Sequence, residues 1–213
     1  MTKLMTEFRF TPAVIALVVM NLIPLIGVFH FGWDAATIVF LYWLENVVIG
    51  LLNIPKIMAC TGGDTLRRSL GGLLYLSVFF SFHYGLFCFG HYVFLQSTYE
   101  SLPEFGNVLS ALFSPVLFWS LLGLTLSHII SMGVNFFGRG EYKKRSPKAQ
   151  MFVPYSRIVL LHIVIIFSGA LAVAMGQGLA TLLLLVGLKI VFDLAAHIVE
   201  HAKAQSLIAP SVD

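Results

Sequence analysis

Long apolar runs separated by short polar connections organise this chain. Six runs can be read, at about 11–31, 35–57, 70–96, 108–135, 154–175 and 178–202. Each is near or above the roughly 20 residues that a helix rising about 1.5 Å per residue needs to cross a hydrocarbon core of about 30 Å. Stretches such as TLLLLVGLKIVF lack the apolar/polar alternation of a barrel strand, and lipid does not tolerate unpaired backbone, so the runs are predicted to be helices. The pattern predicts an all-α integral membrane protein, a single domain over 1–213 with six transmembrane helices in a compact bundle.

Composition agrees with the pattern. Hydrophobic residues make up 58% of the 213 positions and charged residues 11%, whereas a soluble domain carries about a quarter charged residues. Twelve of the thirteen lysines and arginines fall before the first run, between the second and third, between or beside the fourth and fifth, or after the last. The remaining connections carry Asp34, Glu100 and Glu104 instead. The positive-inside rule then puts both termini of a multi-pass membrane protein in the cytoplasm. Topology accounts for the basic 139–148 run and the net charge of +3, so no nucleic-acid partner is expected. The first run has basic residues before it and no small-residue cleavage site after it, which reads as an uncleaved anchor. Cys60 and Cys88 fall at different depths and are not expected to form a disulfide.

Ionisable residues inside the apolar runs are the main chemical signal. Lys189, the thirteenth basic residue, lies near the middle of the sixth run, where a charge costs several kcal/mol unless it is paired. In KIVFDLAAHIVEHA, Lys189, Asp193, His197, Glu200 and His201 occupy about one third of the helical circumference. Counting about 1.5 Å per residue from the cytoplasmic ends puts His128, His162 and His197 at one level in the inner half, with Asp193 about a turn deeper. The same count puts Glu45 and His83 near the midplane with Lys189, and assigns His91, His30 and Asp34 to the outer side. Glu45 is expected to pair with Lys189, since each is otherwise an uncompensated charge.

Three imidazoles from three helices, with His201 one turn beyond His197, have the makings of a divalent-metal site for zinc or iron, and Asp193 or Glu45 could move a proton there. His83 and Lys189 are candidate cofactor-binding residues, the aromatic surroundings of His83 suiting either packing or a flat cofactor. The plainer alternative is a set of interhelical hydrogen bonds.

The segments YWLENVVIGLLNI, FFSFHYGLFCFGHYVFL, NFFGRGEY, VPYSRIVLLHIVI and FDLAAHIVEH resemble the signature segments of a bacterial inner-membrane family classed as a domain of unknown function. That resemblance runs from about Phe10 to Lys203 and implies a compact six-helix membrane domain without an assigned activity. The HxxxH pair His197 and His201 is similar in part to the last helix of membrane zinc hydrolases of the alkaline-ceramidase and adiponectin-receptor type, which have seven spans. Six spans with both ends inside also resemble rhomboid proteases, but the GxSG nucleophile motif is absent.

Three functions follow from these residues: a metal-dependent hydrolase of a lipid-like small molecule, a b-type haem electron-transfer protein, and a non-enzymatic carrier or scaffold with a hydrogen-bonded polar core. The lipid bilayer is the expected partner in each, together with a homo-oligomer.

Overall fold

The computed structural model describes residues 26–30, 32–63, 69–176 and 183–191. Among these residues the chain is almost wholly helical and contains no strand. Four long helices frame it: α1 (Ala35–Ala59), α2 (Leu70–Thr98), α3 (Pro115–Ser131) and α4 (Tyr155–Met175). A fifth, α5, covers 183–191.

Local chemistry fixes where the helices begin. Asp34 Oδ1 accepts from the Thr37 backbone N–H at 2.8 Å and caps α1, and Ser69 Oγ accepts from Gly72 N–H at 3.2 Å to cap α2. Both satisfy donors that the first turn of a helix leaves without partners. Pro115 starts α3, where its missing N–H costs nothing. The end of α3 widens into a π-helical turn, Met132–Gly138, and Gly140 then turns the chain with φ +69°. A short helix, Pro147–Phe152, capped by Ser146, leads into α4.

The centre of the bundle is α1. It packs against α2, α3, α4 and the Pro147–Phe152 helix, and it is apolar around most of its circumference, as a helix surrounded by others must be. Phe40 and Ile38 of α1 are buried with Tyr92 and Leu95 of α2, Val164 and Ile165 of α4, and Leu185 and Val186 of α5. A second cluster, with Ile57, Phe80, Tyr84, Met151 and Ile158, closes the end nearest the Pro147–Phe152 helix. Tyr99 and Ser168 join their hydroxyls across α2 and α4.

The outer surface is as apolar as the core. On α2, Leu74, Val78, Phe82, Leu86, Phe89 and Val93 form an exposed stripe at three- and four-residue spacing. A surface of this size is stable against lipid and not against water. Four helical segments are long and apolar enough to cross a membrane: Ala35–Ala59, Leu70–Thr98, Leu117–Gly138 and Pro147–Met175.

The expected runs 35–57 and 70–96 match α1 and α2 to within two residues. The run 108–135 is broken: a short helix at Val108–Ala111 ends in a turn, and α3 begins afresh at Pro115, because proline cannot continue a helix that approaches it from the N-terminal side. Most of the runs 11–31 and 178–202 lies outside the described residues, and their described parts, 26–30 and 183–191, are helical.

Candidate functional site

Glu45, on the face of α1 turned toward α3, α4 and α5, gathers basic groups from all three. His128 Nε2 of α3 lies 3.4 Å from Glu45 Oε1, Arg157 Nη1 of α4 lies 3.9 Å from the same oxygen, and Lys189 Nζ of α5 lies 3.6 Å from Oε2. The ion pair expected between Glu45 and Lys189 is therefore present. The two side chains are 14% and 12% exposed, so neither charge can be served by bulk water, and each depends on the other. Lys189 Nζ also sits 4.6 Å above the Tyr42 ring, where the π-face supplies further stabilisation.

A small pocket adjoins this centre. It has about 20 Å³ of free volume for water-sized groups, bordered by Tyr42, Glu45, Asn46, Arg157 and Lys189 on its polar side and by Leu160, Leu161 and Val164 on its apolar side. That volume suits one water molecule. Asn46 donates through Nδ2 to the Tyr42 carbonyl at 3.0 Å, while its Oδ1 is buried without a hydrogen-bond partner.

The other histidines of the long helices are engaged elsewhere. His83 Nδ1 lies 2.7 Å from the Tyr155 hydroxyl, within a cluster of rings that includes Phe79, Phe80 and Phe87. His91 Nε2 lies 2.9 Å from His162 Nδ1, with the two rings 5.1 Å apart. This corrects the assignment of His91 to an outer level out of reach of His162. The depth count treats all spans as upright and starting at one height, whereas α2 runs for 29 residues, well beyond the length needed to cross, and such a helix tilts.

Among the described residues no group of three or more His, Cys, Asp or Glu could hold a metal ion. Of the candidate metal residues, His128 meets Glu45 and His162 meets His91, while His197 and His201 lie outside the described residues, as do Asp193 and Glu200. Of the candidate cofactor residues, Lys189 belongs to the Glu45 centre and His83 to the Tyr155 cluster.

Two residues that make polar contacts with α1 escaped the sequence reading. Arg157 was absorbed into the topology count, though its long side chain reaches Glu45. Gln150 is the other: it is 2% exposed, donates through Nε2 to Asn53 Oδ1 at 2.8 Å, and through its carbonyl accepts from Asn53 Nδ2 at 3.3 Å. The available signal was SPKAQMFVP, a serine cap with prolines at both ends, which marks an ordered helix in place of a loop. Around it, Thr61 N–H donates to the Tyr142 carbonyl at 2.8 Å and Gly62 N–H to the Arg145 carbonyl at 3.1 Å. A Cβ on Gly62 would lie 2.7 Å from the Lys144 carbonyl carbon, so the two connections meet backbone to backbone. Cys60 at this junction is buried, and desolvation pushes its thiol up to about 11.

The chain belongs to a family of unknown function, DUF6498, whose profile matches residues 3–208. No curated protein and no solved structure matches it.

Proposed function

We propose that this protein is a six-span carrier of the bacterial inner membrane, with both termini cytoplasmic, and that the Glu45 centre is its working site. One observation carries the reading: a single carboxylate, beside a water-sized pocket, is held by basic groups from three other helices. A charge network of this kind links the relative positions of four helices to the occupancy of one small site, which is what alternating access requires. Proton linkage through the Glu45 and His128 pair is part of the proposal.

This reading is favoured over a metal-dependent hydrolase and over a b-type haem protein by the partners the histidines keep. Among the described residues His83 bonds to Tyr155 and His91 to His162, and His128 lies 3.4 Å from Glu45, so each of these imidazoles already serves a contact within the protein. The six-span topology is supported by the helical segments at 26–30 and 183–191, each within one of the two further apolar runs.

Two measurements test the proposal. Proteoliposomes loaded with a pH-sensitive dye and given a gradient of phenyl phosphate are expected to show coupled proton movement, lost in Glu45→Gln. Flux no greater than in empty liposomes refutes the carrier. Gently purified protein is expected to be colourless and free of stoichiometric metal; bound zinc or iron, or a Soret band, would move the assignment to the hydrolase or the haem protein.

A further inference from the structure

From the geometry of the Glu45 centre we infer that the Glu45 carboxylate stands in for a ligand, and that the site takes a small anionic group, a carboxylate or a phosphate, attached to an apolar body. The inference rests on the carrier reading and names the chemistry of what is carried.

Three basic groups on three helices converge on one pair of oxygens, the arrangement a site would offer to an incoming carboxylate or phosphate. The contacts, 3.4, 3.6 and 3.9 Å, are longer than the 2.7–2.9 Å or so of a closed charge-assisted hydrogen bond. Room for adjustment is therefore built into the site. Asn46 supplies an independent sign. Its side chain borders the pocket, the residue is only 7% exposed, and its Oδ1 has no partner. A buried acceptor left in this state calls for a donor from outside the chain, a water or a hydroxyl of the ligand.

The remaining walls define the rest of the ligand. Leu160, Leu161 and Val164 line the apolar side of the pocket, and Arg157, 53% exposed, opens the centre to the outside of the bundle. An amphiphile can enter with its anionic group on Arg157 and Lys189 and its apolar part against α4. The free volume alone is too small for it, so Glu45 must swing away as the ligand arrives. The tethered carboxylate competes at an effective concentration on the order of millimolar or above, which keeps the empty site closed.

Removing the competitor gives the test. Purified wild type and Glu45→Gln are compared by thermal unfolding in detergent with rising phenyl phosphate or hexanoate, and in nanodiscs with and without phosphatidylglycerol. Glu45→Gln is expected to melt below wild type without added anion and to recover with it, binding the anion at least about tenfold more tightly than wild type. Adding Arg157→Gln should abolish the recovery. Recovery with the soluble anions assigns a free solute, and recovery only with phosphatidylglycerol assigns a lipid headgroup. Glu45→Gln that responds to none of the probes more than wild type overturns the inference. If that variant fails to fold, Glu45→Asp, which draws the charge back by one methylene, carries the same comparison. Anion binding without flux would fault the carrier reading alone, and flux without tighter binding in the variant would fault this inference alone.

Discussion

A close contact between α1 and α2 can be probed with one methyl group. At Gly50 of α1 an added Cβ would lie 2.6 Å from Cε1 and 2.9 Å from Cδ1 of Tyr84 on α2, well inside van der Waals contact. Tyr84 is 3% exposed and donates to the Asn46 carbonyl at 3.2 Å, so its ring cannot move without loss. Overpacking of this kind costs about 1–3 kcal/mol, and losing the hydroxyl bond adds roughly 0.5–1.5 kcal/mol. Replacing glycine in a helix returns about 0.5–1 kcal/mol. Gly50→Ala should therefore lose about 0.5–4 kcal/mol overall, centred near about 2 kcal/mol. Gly90→Ala on α2, where nothing lies within 4 Å of the new carbon, should gain up to about 1 kcal/mol. Unfolding of the two variants and wild type in mixed micelles of rising SDS fraction reads the difference directly. Equal midpoints for the two alanine variants would show that α1 and α2 do not meet at this point.

Other outcomes follow from buried polar partners. Asn53→Leu strands the buried side-chain Nε2 of Gln150, whose carbonyl still accepts from Val153 N–H and whose Oε1 still accepts from Arg145, and should cost about 1–3 kcal/mol in thermal unfolding, most of it recovered in the Asn53→Leu, Gln150→Leu double variant. His162→Leu leaves both ring nitrogens of His91, itself 5% exposed, without partners. A loss of about 1–3 kcal/mol is expected, and an unchanged melting point would mean that the two rings do not touch. Cys60, with its thiol pushed up to about 11, is neutral at pH 7.5 and should react with maleimide far more slowly than a free thiol until the protein is unfolded; rapid labelling of folded protein would contradict its burial.

The extents of α1 and α2 and the principal ion pair were legible because an uninterrupted apolar run and a costly buried charge are both visible in the residues themselves. The apolar runs 35–57 and 70–96 mark α1 and α2 by their length, and the expense of an unpaired Lys189 in lipid demanded an acid, of which Glu45 was the one within the second apolar run. Depth was less legible. A residue's height depends on helix tilt and on where each helix starts, neither of which periodicity encodes, and so His91 was set apart from His162. Arg157 misled for a related reason: its backbone stands at the foot of α4, where a topology rule claims it, while its side chain reaches to Glu45 at 3.9 Å. The π-turn at Met132–Gly138 has no simple pattern in the sequence, since its wider coil leaves the same apolar spacing.

The polar contacts of α1 divide into two kinds, and the division bears on what the Glu45 centre does. Asn53 and Gln150 satisfy each other reciprocally at 2.8 and 3.3 Å, and Trp43 Nε1 donates to the Cys88 carbonyl at 2.7 Å. These are closed joints that fix α1 against its neighbours. Apolar residues of similar volume commonly hold helices together as well as a buried ion pair does, so stability alone gives little reason to place Glu45, Lys189, His128 and Arg157 together. Their contacts are longer than those of the closed joints, a space for water adjoins them, and the Asn46 oxygen beside it lacks a donor. Long contacts, a water-sized space and an unpartnered oxygen are what the proposed release of Glu45 to another anion requires.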